Sequence, residues 1–166
     1  MADDPAEFVI RAAGSTDAAR ICAIYNHYVS GTIVSFEETP LGEREMARHV
    51  DASGLPWLVA LEEGQVVGYA RAAPWKTRSG YRHTVESSVY VDPTCQRRGH
   101  GRQLYKALIA RLRERGVHCV IGGIALPNPA SIALHEALGF EHAGVLREVG
   151  RKLGRWVDVG YWVLLL

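Results

Sequence analysis

Residues 8–12 alternate between apolar and polar side chains and predict a first strand. Ser15 or Thr16 then offers a helix N-cap. Ile21, Ile24, Tyr25 and Tyr28 come next at helical spacing, and Gly31 marks the stop. A short extended piece is expected over 32–36. Thr39-Pro40 is expected to open a second, short helix running to about Val50, because proline suits the first helical position. Two β-rich runs, 57–62 and 65–73, are joined through Glu63-Gly64, a hairpin signal. A polar loop over 75–82 leads to another strand, 83–91, which Asp92-Pro93 ends. A long amphipathic helix begins after Gly101, with Leu104, Leu108 and Leu112 as its buried stripe and Gly116 at its close.

The remainder reads as an apolar strand over 119–126, a break at Pro127-Asn128-Pro129, and a short helix over 130–138 stopped by Gly139. Two last strands, about 140–149 and 156–165, flank a Gly150…Gly154 turn, and Trp156 and Trp162 are expected to pack. The order is β-α-α-β-β-β-α-β-α-β-β. It implies an α/β (α+β) fold with a mixed central sheet flanked by helices, in one domain spanning 1–166. The strand–helix–strand unit over 83–126 should form a right-handed parallel crossover.

Composition narrows the function classes. A chain of 166 residues can bury a continuous core without disulfide or metal staples. A net charge of +1 exerts no global pull toward nucleic acid or membrane, so any anion site must be local. The opening Met1-Ala2-Asp3-Asp4-Pro5 is acidic and lacks the apolar stretch of a secretory signal, and no apolar run approaches a membrane span. Cys22, Cys95 and Cys119 are scattered and odd in number, which reads as reduced thiols in the cytoplasm. Cys95 adjoins a glycine loop, but no His–Asn or His–Asp pattern marks it as a nucleophile. His27, His49, His100, His118 and His142 lack metal-ligand spacing, so no metal is expected.

The strongest chemical signal is the segment Gln96-Arg97-Arg98-Gly99-His100-Gly101 between a strand and the long helix. Its glycines allow positive φ and close approach of a ligand. Its free N–H groups and the helix dipole favour an anion, and Arg97, Arg98 and Arg102 add positive charge. A pyrophosphate is the natural guest. A P-loop would need Gly-Lys followed by Ser or Thr, where this chain has Gly101-Arg102-Gln103. A dinucleotide fingerprint fails at Leu104, where a third glycine belongs.

With this loop the chain resembles the GCN5-related N-acetyltransferase (GNAT) superfamily, whose coenzyme A pyrophosphate motif looks like Gln96-x-x-Gly99-x-Gly101. A narrower resemblance, to phosphinothricin and methionine sulfoximine acetyltransferases, rests on four further stretches. These are Trp75-Lys76-x-Arg78 with Tyr81, the run from Thr84 to Val91, Leu134-His135-Glu136-Ala137-Leu138-Gly139-Phe140, and Gly154-x-Trp156-x-Asp158-Val159-Gly160. The resemblance implies acetyl-CoA as cosubstrate, with backbone of Val89, Tyr90 and Val91 pairing with its pantetheine arm. Residues Arg97, Arg98, Gly99, His100, Gly101 and Arg102 should cradle the pyrophosphate, and Asn128 should touch the arm. Strands 83–91 and 119–126 should splay apart to admit the thioester. A homodimer is implied as well.

An amine attacks a thioester only when neutral, so a base must take its proton. The resemblance points to Glu86, acting directly or through water; an ion pair with Arg82 or His83 is the alternative. Many members of the superfamily place a tyrosine near the leaving thiolate. Here His135 falls in that segment, as acid, base or structural residue. Lys76, Arg78, Tyr81 and Arg82 gather charge that suits a carboxylate and a second anionic group. Trp75, Phe36, Ser87 and Ser88 complete the expected acceptor site. The resemblance thus implies acetylation of a small amino-acid-like amine. Protein N-termini, polyamines, aminoglycosides and non-catalytic coenzyme A binding remain as alternatives.

Overall fold

The computed structural model describes residues 8–166. The acidic opening, expected to lack a signal sequence, lies outside the described residues. Eleven elements succeed one another in the expected order. They are β1 (Phe8–Ala12), α1 (Ala18–Gly31), α2 (Glu43–Asp51), β2 (Trp57–Glu62), β3 (Gln65–Pro74), β4 (Thr84–Val91), α3 (His100–Glu114), β5 (Cys119–Ala125), α4 (Pro129–Glu136), β6 (Glu141–Lys152) and β7 (Arg155–Leu165). The strands form one sheet in the order β1-β2-β3-β4-β5-β7-β6. Only β4 and β5 run parallel; every other neighbouring pair is antiparallel.

The central sheet is covered on both faces. Leu104, Leu108 and Leu112 of α3 are fully buried against Ala70, Ala72, Val85 and Val120. On the other face, Ile21, Ile24 and Val29 of α1 and Met46 of α2 pack on Trp57, Val59 and Tyr69. Residues of β2 alternate between the two clusters, which is why Trp57 through Leu61 reads as one apolar run. Small residues let α3 approach: a Cβ at Gly68 would lie 3.1 Å from Leu104 Cδ1 and 2.9 Å from Tyr90 O.

Turn chemistry explains the hairpins. Glu63 and Gly64 both have positive φ, 51° and 76°, as do Leu153 and Gly154, 50° and 76°. That is the two-residue turn whose twist matches the flanking strands. The second turn corrects the expected Gly150…Gly154 turn, because Gly150 lies inside β6. Residues 32–36, expected as a short extended piece, form neither helix nor sheet strand. Two further expectations are corrected. The second helix starts at Glu43 behind Gly42, not at Pro40. Its acidic first turn (Glu43, Glu45) and basic last turn (Arg48, His49) match the helix dipole, a cue stronger than the proline. Trp162 is buried, but Trp156 is 61% exposed near the hairpin tip.

Because Leu108 sits in the middle of the α3 face with no exposure, Leu108→Ala should destabilise the fold by about 2–5 kcal/mol. Urea unfolding measures this, and a loss below about 1 kcal/mol would contradict the core described.

Candidate active site

Strands β4 and β5 pair only through Thr84↔Cys119, Val85↔Val120 and Glu86↔Ile121. Beyond Glu86 they part. Each keeps its outer partner: β4 stays on β3 as far as Val91, and β5 stays on β7 as far as Ala125. A narrow slit of about 60 Å³ opens between them, lined by Ser88, Val89, Tyr90, Gly123 and Ala125 and, toward α4, by Asn128, Ser131 and His135. Beside it lies a cavity of about 440 Å³ that shares Ser88, Tyr90, Gly123 and Ala125 with the slit. Glu86, Phe36, Arg151 and Tyr161 also line this cavity.

Two adjacent glycines make the junction possible. A Cβ at Gly123 would come within 3.0 Å of Glu86 Oε1, and one at Gly122 would overlap the His135 ring. Successive strand residues face opposite sides, so Glu86 and His135 stand on opposite faces of β5. A glycine doublet inside an apolar strand is the sequence signal of such close approach.

Glu86 is half-buried and unpaired by any ion pair among the described residues. Burial pushes its carboxyl above the ordinary range, while the positive charges of Arg71 and Lys76 partly offset this. Neither Arg82 nor His83 holds it: Arg82 donates to Ser79 O and His83 Nδ1 lies 3.2 Å from Gly116 O. Arg71, on β3 and not expected from the sequence, faces the same side as Glu86, since Arg71↔Ser88 and Ala73↔Glu86 are paired.

His135 is buried. Its Nδ1 lies 2.8 Å from Ser131 O, and its Nε2 lies 2.9 Å from the Tyr105 hydroxyl. A neutral ring donating from Nδ1 and accepting at Nε2 satisfies both contacts. Burial lowers its proton affinity, and the Ser131 carbonyl only partly opposes that. Tyr105 also meets Ser87 Oγ at 2.6 Å, and Ser87 is directed at Ile121 O, 3.3 Å away. Ser87 therefore spends its hydroxyl under the sheet, whereas Ser88 lines the cavity. Tyr105 is hidden in the sequence because it adjoins Leu104 in a helix whose apolar stripe dominates the pattern.

The glycine loop is held from both sides. Asp92 accepts from the Thr94 amide and hydroxyl and pairs with Arg20. Burial raises its proton affinity, but these partners outweigh that and hold the carboxyl below the ordinary range. The Tyr28 hydroxyl donates to Val91 O and accepts from Gln96 Nε2 at 3.0 Å, fastening the end of β4 to the loop. Arg97 and Gly99 adopt positive φ, 63° and 85°, and the first helical amide bond runs from Gln103 N to Gly99 O. The amides of His100, Gly101 and Arg102 therefore begin α3 without intrahelical partners. Arg97 and Arg102 are exposed, while Arg98 pairs with Glu62 at 3.0 Å. The His100 ring is buried and stacked on Phe8 (5.0 Å), so what it offers a ligand is its amide. Asn128 Oδ1 caps α4 by accepting from Ser131 N at 3.1 Å.

The predicted acceptor residues separate into two groups. Phe36, Glu86 and Ser88 line the cavity. Trp75 meets Tyr161 edge-on at 5.6 Å and carries Lys76 4.9 Å above its ring, which brings both to the cavity's rim. Arg78 and Tyr81 are exposed on the adjoining loop and do not line the cavity. Among the described residues no group of His, Cys, Asp and Glu is placed to hold a metal ion. Among them, too, no helix is long and apolar enough to cross a membrane.

Comparison with known proteins gives concordant results. Residues 21–140 match the acetyltransferase (GNAT) family. A phosphinothricin N-acetyltransferase of Streptomyces viridochromogenes is 44% identical over 155 residues, spanning 92% of this chain and 85% of that protein. An L-methionine sulfoximine/L-methionine sulfone acetyltransferase of Pseudomonas paraeruginosa is 43% identical over 161 residues, spanning 95% and 94%. The crystal structure of a GNAT superfamily phosphinothricin acetyltransferase from Sinorhizobium meliloti in complex with acetyl-CoA superposes with a TM-score of 0.91. It is 38% identical and covers 96% of this chain and 88% of that one.

The Glu86 carboxyl should titrate above the ordinary carboxylate range, and Arg71→Met should raise it further by removing an offsetting charge. Carbon-13 NMR of labelled glutamate reads both shifts; a titration at the position of a solvated glutamate would contradict the burial described.

Proposed function

The chain belongs to the acetyltransferase (GNAT) family, and we propose on that premise that it transfers an acetyl group from acetyl-CoA to the amine of a small amino-acid-like acceptor. The acceptor class is that named for its relatives, phosphinothricin or methionine sulfoximine and sulfone. One observation carries the reading: β4 and β5 part beyond Glu86, opening a slit beside a carboxylate-lined cavity, and β4 runs on toward a backbone anion cradle at residues 97–102. In this reading the amides and arginines of Arg97 to Arg102 hold the pyrophosphate. The free backbone edge of Val89, Tyr90 and Val91 pairs with the pantetheine arm as an added strand would, and Asn128 flanks it.

Glu86 collects the proton that the attacking ammonium must lose, directly or through water. Its raised proton affinity suits a base working near neutrality, provided that it is ionised, so the rate rises with pH through its titration. The amine nitrogen bonds to the carbonyl carbon and the carbon–sulfur bond breaks. Backbone N–H groups at the head of the slit stabilise charge on the carbonyl oxygen. His135, neutral and engaged at both nitrogens, is better suited to shaping the thiolate end of the slit than to delivering a proton. Lys76 and Arg71 beside Glu86, with Arg78 and Tyr81 on the approach loop, favour an acceptor bearing acid groups over a polyamine.

The free cysteines fit a reducing cytoplasm. Val145, Leu146, Val149, Leu153 and Trp156 are large apolar side chains exposed on the β6–β7 hairpin. Their concentration there supports a homodimer through this hairpin.

Thiol release from acetyl-CoA should occur with phosphinothricin or methionine sulfone and not with polyamines, aminoglycosides or peptides; the reverse ranking would overturn the acceptor class. Glu86→Gln should lower kcat by roughly 10²–10⁴-fold while leaving acetyl-CoA affinity intact in calorimetry. Alanine at both Lys76 and Arg78 should raise the acceptor KM and spare the acetyl-CoA Kd. An unaltered KM would make that loop plain surface.

A further inference from the structure

The motif Gly154-x-Trp156-x-Asp158-Val159-Gly160 has no part in the chemistry above, yet its hairpin builds one wall of the acceptor cavity. In β6, Leu146 pairs with Val159 and Gly150 with Val157, so Arg147, Glu148 and Val149 stand opposite Asp158 alone. The Asp158 carboxylate holds this bulge by accepting from the Glu148 amide at 2.7 Å, with Glu148 at φ 50°. A bulge bends its strand and re-aims the residues beyond it. Here the first of these is Gly150, which has no room for a side chain because the Phe36 ring lies on it.

Two residues on, the Lys152 amine is buried, 3% exposed, and donates to the backbone carbonyl of Glu37. No carboxylate among the described residues pairs with it. Burying an amine without a counter-charge is costly, and its one partner among the described residues is on the segment that carries Phe36. Val34, Ser35 and Phe36 therefore roof the cavity, and their segment is tied to β6 at two neighbouring points rather than by sheet pairing.

We propose that Gly150 and Lys152 clasp the Phe36 segment onto β6, and that this clasp sets the length of acceptor side chain the cavity admits. The proposal rests on the acetyltransferase reading. It assigns specificity to the roof, with the charged groups near Glu86 fixing the acceptor's acid end. With the Phe36 ring lying on Gly150, a longer acceptor side chain must push that ring off the strand.

The test is kcat/KM across a series of α-amino acids with lengthening unbranched side chains, for wild type, Phe36→Ala, Gly150→Ala and Lys152→Met. Phe36→Ala should raise kcat/KM for the longer acceptors relative to the shorter by about 10-fold or more, the scale set by a methylene in an apolar pocket. Gly150→Ala and Lys152→Met should raise KM for the short acceptors while the acetyl-CoA Kd, read by calorimetry, stays within about twofold. Phe36 is partly exposed, so its variant folds even if the buried substitutions do not. An unchanged length ranking in Phe36→Ala, with turnover intact, overturns the clasp alone. Absence of thiol release by wild type with every amine overturns the acetyltransferase reading and the clasp with it.

Discussion

Backbone hydrogen bonding between β4 and β5 stops at Glu86↔Ile121, and the rest of the site depends on that limit. Two strands that remain locked to their outer neighbours cannot close the gap, so backbone edges are left open where a sheet would normally bond. Leaving such groups buried and unpaired costs on the order of 1–3 kcal/mol each. In the proposed function, a ligand arm carrying amides relieves that cost by pairing in the slit. The fold thus draws its stability from the two helical layers and leaves one seam unfinished. Tyr28 and Asp92 hold the seam's lower end rigid, and the glycine loop starts from there.

The seam also separates chemical tasks. Glu86 and Arg71 lie on the face shared with α1 and α2, while Ser87 and His135 lie on the opposite face and meet Tyr105 of α3 there. Strand alternation alone makes this division. It puts a carboxylate of raised proton affinity on the cavity side and a neutral hydroxyl–imidazole chain on the other. Between the two sets stand Gly122 and Gly123, where a side chain would press on His135 or Glu86.

Much of this is legible in the residues. The element order, the α3 stripe and the Glu63-Gly64 turn all arise from periodicity and local turn chemistry, which act over a few positions. The segment 32–36 reads as a short extended piece, but its docking through Phe36 and Glu37 on Gly150 and Lys152 is set more than a hundred positions away. The helix start at Glu43 shows that two acidic residues in a first turn outweigh Pro40. Arg71 and Tyr105 escape notice in the sequence, and Gly150 is read there as a turn, for a common reason. Each acts through a partner on another element, and no spacing within its own strand or helix records that partner. The exposure of Trp156 belongs with these, because burial of an edge hairpin depends on what covers it.

The central claim is that the cosubstrate completes the sheet at the β4 edge and rests its pyrophosphate on the start of α3. Amide hydrogen exchange by NMR, with and without acetyl-CoA, tests this most directly. The account predicts slowed exchange concentrated at Val89, Tyr90 and Val91 and at the loop from Arg97 to Arg102. Protection confined to other parts of the sheet, with these amides exchanging as in the free protein, would contradict it.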